Sequence, residues 1–416
     1  MKTRYLTLGL VLITTISYPQ KLRGEIIPQT DNFAIGYRLS DPLEIDCISA
    51  TDSYNLGNNF LNEQKYSDAL AAYNRAIELD ADYYYAWWGK GYALQELERY
   101  SEAIAAYKKA IAINDQDAKL WFAKGYIFYE VEQYNQAIAA YDQAIELQSD
   151  YGIAWYNRGA AFKQLKQYSQ AVKSYDRAIA IDPQDGGFWY SRANVLVMLD
   201  RYEEAIESYQ WAIDIDPQDF AAWNKKGRVL HQLEKYAAAS EAYNKAIEIN
   251  PDRADVWQNF GKALYYQQKY ESAIAAFERV IKVNPNLADA WTYRGDAYYY
   301  LEEYQQAISN YDRAIAINAS DIYLWIYRGN AFSKLEQYSQ ALESYDRAIV
   351  INKQNALAWF NRGLTLSRLG RYDEAVNSYD RGLEIEPSNT QAIRLRQKTL
   401  MLKERQYSRR IVSMVQ

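Results

Sequence analysis

The chain is predicted to be an all-α solenoid of ten 34-residue helix-turn-helix repeats with a C-terminal capping helix, and three periodicities predict it. Tryptophan stands at Trp87, Trp121, Trp155, Trp189, Trp223, Trp257, Trp291, Trp325 and Trp359, each 34 residues from the last with no insertion or deletion. Tyrosine keeps the same spacing from Tyr66 to Tyr372, and alanine from Ala69 to Ala375. Five of the eight prolines, Pro183, Pro217, Pro251, Pro285 and Pro387, fall at one phase of the period, where a helix stops because proline lacks the N–H and restricts its predecessor. A fixed period of this length marks stacked supersecondary units rather than a single globule.

In chain order, residues 1–18 come first. Lys2 and Arg4 precede an apolar run over residues 6–16, the length of a secretory h-region and too short to span a bilayer. A signal peptide or N-terminal membrane tether is expected, which makes the protein exported or membrane-tethered, in the periplasm or an equivalent compartment. The alternative is the N-terminal strand or helix of a cytoplasmic protein. Residues 19–49 read as a linker containing Pro28, Pro42 and Cys47, the single cysteine of the chain, which cannot form an internal disulfide. The repeats follow at 50–83, 84–117, 118–151, 152–185, 186–219, 220–253, 254–287, 288–321, 322–355 and 356–389. Residues 390–416 hold Arg394, Arg396, Lys398, Lys403, Arg405, Arg409 and Arg410 against one acid, Glu404, and Ile393, Leu400 and Met401 fit a basic capping helix over the last repeat.

One repeat shows the internal design. From Gly152 to Leu165, Trp155, Gly159 and Phe162 recur at helical spacing; from Ser169 to Ile181, Ala171, Val172, Tyr175, Ala178 and Ile179 do the same. The join, Lys166 to Tyr168, is short enough to force the two helices antiparallel, and Asp182 and Pro183 close the second. Gly159 and Ala171 are expected where the two backbones approach, with Trp155, Tyr168 and Tyr175 filling the space between crossings. No pair of helices covers its own apolar faces, so stability comes from stacking.

The string Trp155, Gly159, Tyr168, Ala171, Tyr175, Ala178, Pro183 resembles the tetratricopeptide repeat, and the resemblance covers residues 50–389. It implies a right-handed superhelix with the first helix of each repeat, helix A, on a concave wall, and a non-enzymatic role in binding protein or peptide partners. Departures from the pattern are Ala193 for the helix A glycine, Val280 and Gly382 for an alanine of the second helix, helix B, and Ala81, Asp115, Ser149, Ala319 or Lys353 in the proline slot. A basic residue also replaces the usual leucine at Lys90, Lys124, Arg158, Arg192, Lys226, Arg294, Arg328 and Arg362. It reads either as a stem snorkelling over the seam or as one half of an ion-pair ladder with Asp142, Asp176, Asp312, Asp346 and Asp380. Chaperone-binding members clamp a C-terminal carboxylate with lysine at the fifth residue of a repeat, and no repeat here has one. The asparagine ladder of other members is represented only by Asn55, Asn157, Asn259 and Asn361.

Composition narrows the function classes. One histidine and one cysteine leave no material for a zinc site or a cysteine-histidine dyad, and no glycine-rich phosphate loop is present. The 49 and 27 residues outside the repeats cannot hold a catalytic domain, so no enzyme activity, cofactor or metal is expected. The repeats carry 35 basic and 47 acidic residues, a net charge of 12 negative that argues against nucleic acid.

The resemblance places the second, fifth, ninth, twelfth and thirteenth residues of each repeat on the concave wall. Tyr85, Trp88, Tyr92, Phe122, Tyr126, Tyr129, Tyr156 and Tyr190 would present aromatic anchors there to an extended chain or a helix. The sixth and seventh repeats change character, with Asn224, Arg228, His231, Gln232 and Lys262 forming a local basic patch for a partner's carboxylates. Pairing of that patch with Asp255, Asp289 and Asp296 is the plainer reading of the same residues, as packing on the adjacent helix A is for the rings. The alternative function is an assembly or secretion factor that meets a multiprotein complex through its convex face, including Trp211, and its basic tail.

Overall fold

The computed structural model describes residues 49–415, with side chains as far as Ser408; the expected signal segment and nearly all of the linker lie outside the described residues. Every element among the described residues is a helix. They form two compact units, the first ending at Asp216 and the second beginning at Pro217. The first holds α1 (Ala50–Asn62), α2 (Tyr66–Leu79), α3 (Tyr84–Glu96), α4 (Tyr100–Ile113), α5 (Ala118–Glu130), α6 (Tyr134–Leu147), α7 (Gly152–Gln164), α8 (Tyr168–Ile181), α9 (Gly186–Met198) and α10 (Tyr202–Ile215). The second holds α11 (Phe220–Gln232), α12 (Tyr236–Ile249), α13 (Ala254–Tyr266), α14 (Tyr270–Val283), α15 (Ala288–Tyr300), α16 (Tyr304–Ile317), α17 (Ile322–Lys334), α18 (Tyr338–Ile351), α19 (Ala356–Arg368), α20 (Tyr372–Ile385) and α21 (Thr390–Val415). Odd-numbered helices up to α19 are helix A of a repeat and even-numbered ones helix B, so each unit is a solenoid of antiparallel pairs.

The turn inside each pair is a Schellman cap. In the first repeat the Lys65 N–H donates to the Phe60 carbonyl at 2.8 Å and the Gln64 N–H to that of Leu61 at 2.9 Å, which requires left-handed backbone at residue 64. That residue is Gln64 here, Glu98, Glu132, Lys166, Asp200, Glu234, Gln268, Glu302 and Glu336 in the next repeats, with φ between 56° and 62°; only the tenth turn uses glycine, Gly370.

The turn between repeats is held by the periodic tryptophan. Each indole Nε1 donates to the backbone carbonyl six residues earlier, as Trp87 does to Ala81 at 2.9 Å, Trp189 to Pro183 at 3.0 Å and Trp257 to Pro251 at 2.8 Å. The acceptor is always the residue in the proline slot. Since the bond needs only a carbonyl, Asp115, Ser149, Ala319 and Lys353 serve as well, at 2.9 to 3.0 Å. The departures from proline therefore leave the turn intact.

The helix A glycine makes room for a tyrosine ring rather than for the alanine backbone of helix B. A Cβ at Gly159 would lie 2.8 Å from Cε1 of Tyr175, and one at Gly91 would lie 2.6 Å from the same atom of Tyr107. These rings are fully buried and form the centre of each pair. Gly382 has its own reason: a Cβ there would meet the Phe360 ring at 2.2 Å, so the missing methyl is what admits that phenylalanine.

The arginines make the ion-pair ladder. Arg158 on α7 donates through Nε to Asp142 of the preceding repeat at 2.6 Å and through Nη1 to Ser174 of its own helix B at 2.8 Å. Arg192 joins Asp176 and Ser208, Arg328 joins Asp312 and Ser344, and Arg362 joins Asp346 and Ser378, all within 2.8 Å. Each guanidinium thus ties three consecutive helices, and several also lie over a ring of their own helix, as Arg158 does over Phe162 at 4.7 Å. The lysines at this position lie over their tryptophan, as Lys124 does 4.4 Å above Trp121.

The C-terminal helix continues the register of helix A. Arg396 on α21 bonds to Asp380 as the next rung, and Ala392 and Thr399 are buried at the positions equivalent to Ala358 and Thr365. This corrects part of the expected contact face: Met401 is exposed, Ala392 and Thr399 are buried and Leu395 packs on the core of the last repeat, while Ile393 and Leu400 are half-buried. Apolarity alone picked out Met401 and missed Ala392 and Thr399, which carry little apolar signal.

Candidate functional site

In the first unit the wall positions of α3, α5, α7 and α9 are crowded with rings, and crowding decides which remain available. Trp88, Tyr92 and Phe122 are at most 3% exposed, so they are core residues and present no open surface. Rings of their own repeat help to cover them: Phe122 packs on Tyr141 at 5.7 Å and on Tyr151 of the following turn at 5.2 Å, and Trp88 stacks behind Tyr85 at 6.4 Å. Tyr85, Tyr126, Tyr129, Tyr156 and Tyr190 keep part of their surface. They are tied sideways, Tyr156 stacking on Phe188 at 5.1 Å with its hydroxyl 3.2 Å from that of Ser191, and Gln164 donating to the Tyr129 hydroxyl at 3.2 Å. These rings are braced from one helix A to the next, which fixes them for contact.

In the second unit the basic patch is smaller than its composition implies. Lys262 is paired with Asp289 at 3.4 Å and lies 4.7 Å above the Tyr293 ring, while Asp255 is engaged by Arg253 at 2.9 Å. Arg228 is exposed, and no ion pair joins it to any of the three aspartates. His231 sits edge-on to Tyr236 at 5.1 Å and Tyr266 at 5.7 Å with Nε2 buried; burial, and after it the charge of Lys262, holds its imidazole below the usual histidine range. Asn224 has a buried side-chain oxygen and Gln232 is exposed.

Beside this patch lies a group of wall residues that sequence reasoning passed over. Tyr265, Tyr266, Tyr299, Tyr300 and Tyr323 occupy twelfth, thirteenth and second positions of the seventh to ninth repeats. Tyr266, Tyr323 and Tyr300 are exposed by 44%, 50% and 57%. The rings of the seventh and eighth repeats form a continuous edge-to-face and stacked set, Tyr265 meeting Tyr293 at 5.5 Å and Tyr300 at 6.0 Å, and Tyr270 stacking on Tyr300 at 5.2 Å, while Tyr323 leans on Tyr327 at 6.3 Å. The signal was present as paired tyrosines at the same two positions of successive repeats.

At the floor of this set is Asp296, the ninth residue of its repeat. It accepts the buried Tyr311 hydroxyl at 2.8 Å, is surrounded by protein on most sides and still keeps an open face. Burial raises its carboxyl to about 6, against which the Tyr311 bond acts only partly. Tyr265, Tyr293 and Tyr327 are pushed up first by burial and further by the Asp296 charge, so their hydroxyls remain protonated donors.

Two other features were weighed on the same geometry. A cleft of about 490 Å³ is lined by Leu342, Asp346, Val350, Arg362 and Arg371, but Asp346 and Arg362 form a ladder rung and Arg371 pairs with Glu374 at 2.6 Å. Trp211 is exposed on α10 and stacks on Trp189 at 5.5 Å. Among the described residues no group of three or more histidine, cysteine or acidic side chains is placed to hold a metal, and no helix is long and apolar enough to cross a membrane.

Comparison with known proteins agrees with this architecture. Family models described as tetratricopeptide repeat match residues 54–118, 190–254 and 259–322, residues 152–185 and 356–389, and residues 242–275, and one described as TPR repeat matches 125–166 and 329–370. No curated protein matches the chain. Among solved structures it is similar to YrrB, described as a TPR protein with an unusual peptide-binding site, at 26% identity over 44% of this chain and 95% of that one, with a TM-score of 0.42. The C-terminal part of a TPR repeat-containing protein from Cytophaga hutchinsonii matches at 16% identity over 66% and 98% of the two chains, TM-score 0.44. The Cut9–Hcn1 hetero-tetramer of APC/C matches at 11% over 84% and 96%, TM-score 0.41.

Proposed function

Because the chain belongs to the tetratricopeptide-repeat family, we propose that it is a non-enzymatic scaffold that grips an extended segment or a helix of a protein partner on its helix A wall. The observation that carries this reading is the set of exposed tyrosines at wall positions, Tyr266, Tyr300 and Tyr323, continuous with rings already held rigid by their neighbours. Rings fixed in advance supply contact area with little further loss of entropy on binding, which is the physical requirement for an anchor.

The test is a partner captured by the full chain from its native source and identified by mass spectrometry. The combined variant Tyr266→Ala and Tyr300→Ala is expected to lose it, while Trp211→Ala retains it. The opposite pattern would assign the contact to the helix B face, the reading favoured by the exposed indole of Trp211 on its stacking partner Trp189. Deleting the basic tail does not discriminate between the two, because α21 also caps the last repeat. The apolar run of residues 6–16 supports an exported or tethered location, and a reporter fused after residue 48 would remain in the cytoplasm if that expectation is wrong.

A further inference from the structure

We propose that Asp296 and the tyrosines around it form a receptor for one cationic side chain, a lysine or arginine of a basic peptide segment lying along the wall of the seventh to ninth repeats. This deepens the reading of the wall as a partner-binding surface and rests on it.

In three other repeats the ninth residue is an asparagine with a packing role. Asn58 accepts the buried Tyr73 hydroxyl at 2.7 Å, Asn194 accepts that of Tyr209 at 3.0 Å, and Asn330 accepts that of Tyr345 at 2.8 Å. Where the ninth residue accepts this hydroxyl a neutral carbonyl oxygen is enough, and Ala160 and Leu364, at the same position relative to the buried Tyr175 and Tyr379, show that packing does not demand a charge there. In the seventh repeat the ninth residue is Lys262, which cannot accept, and the ring below it is Phe277, with no hydroxyl to satisfy. Asp296 performs the same service as the asparagines at 2.8 Å but brings a charge that the packing does not use.

Among the described residues that charge has no counterion. Among the described residues the basic groups nearby are directed elsewhere: Lys262 pairs with Asp289 at 3.4 Å, Arg294 donates to Asn310 at 2.7 Å, and Arg328 pairs with Asp312 at 2.7 Å. A largely buried carboxylate without a partner is costly, and its raised proton affinity is the expected symptom. Besides Tyr311, the tyrosines that feel its charge come from three helices: Tyr265 from α13, Tyr293 from α15 and Tyr327 from α17. Their ring faces suit a cation, and their protonated hydroxyls add no competing negative charge. An anionic guest would meet Asp296 and Asp289 and is disfavoured. The excess of 47 acidic over 35 basic residues in the repeats extends the same preference to the flanks of a basic segment.

Fluorescein-labelled tetralysine and tetraglutamate, titrated against the full chain by anisotropy at low salt, test the proposal. Tetralysine is expected to bind saturably and tetraglutamate not at all. Asp296→Asn, which retains an acceptor for Tyr311 and so should fold as well as the parent, is expected to weaken tetralysine by about tenfold or more. A second readout is proton release. At pH 6 the carboxyl is about half protonated, so binding should release roughly half a proton, seen as a dependence of the calorimetric heat on buffer ionisation and absent in Asp296→Asn. Equal tetralysine affinity in parent and Asp296→Asn, or binding of tetraglutamate, would overturn the proposal. If the native partner survives Asp296→Asn but is lost with Tyr266→Ala and Tyr300→Ala, the cation receptor alone is wrong; if it survives both, the wall reading fails as well.

Discussion

At the scale of single residues, the structure separates what a position must do from what it happens to carry. Asn58, Asn194, Asn330 and Asp296, each the ninth residue of its repeat, accept a buried tyrosine hydroxyl, and asparagine suffices for that. Asp296 should therefore cost stability. Its folded carboxyl titrates near 6, above the ordinary value of 3.8, so the fold favours the protonated form. That contribution is complete at low pH and lost as pH rises through 6, up to about 3 kcal/mol. Asp296→Asn should consequently match the parent's thermal midpoint near pH 4 and exceed it increasingly up to pH 7. A gap independent of pH would show that the carboxylate is not destabilising. The facing tyrosines stay neutral across this range, and Lys262 and Asp289 are paired with each other in both proteins.

The same scale shows where sequence reasoning stopped. A repeat register tells which way a Cβ points, and it identified wall positions; whether a ring there is open depends on what the next repeat lays over it. Trp88 and Phe122 share their position with Tyr156, yet the first two are covered and the third is only partly so. Asp296 was visible as one acid among many, and its meaning needed both the Tyr311 bond and the pairing of every neighbouring cation.

At the scale of helices and turns, most of the design was legible because 34-residue spacing converts directly into helix register. The ion-pair ladder was readable from its constant offset of 16 residues between aspartate and arginine, and the structure supplies the serine that was not foreseen. The tryptophan bond to the proline-slot carbonyl was not foreseeable from periodicity, since its acceptor is a backbone atom that no residue type announces. It makes a paired prediction. Trp257→Phe keeps the ring volume nearly intact but loses the 2.8 Å bond to Pro251, and should cost about 1 kcal/mol in urea unfolding. Pro251→Ala keeps the carbonyl and should cost about half as much or less, because alanine already occupies the slot before Trp87 and Trp325. Equal losses would mean that proline's rigidity, and not the indole bond, holds the turn.

At the scale of the whole chain, each helix leans on its immediate neighbours, so an exposed end is the weak point of a stack. Helix α21 closes the second unit as an extra helix A, extending the arginine ladder through Arg396 and burying Ala392 and Thr399. Removing residues 390–416 should speed amide hydrogen exchange in α19 and α20, the helices that α21 packs on, while leaving α11 and α12 of the same unit unchanged. Uniform acceleration along the chain would instead indicate a single cooperative unit. This capping role was anticipated, but the burial of Ala392 and Thr399 was not, because threonine and alanine carry little apolar signal.

The indole fastener has a last consequence, for how such a gene can grow. Every joint is made from a side chain in the incoming copy and a main-chain oxygen in the outgoing one. A tandem duplication or loss of 34 codons at any phase therefore delivers its own stitching, and the reading frame can lengthen or shorten without a compensating substitution at the scar.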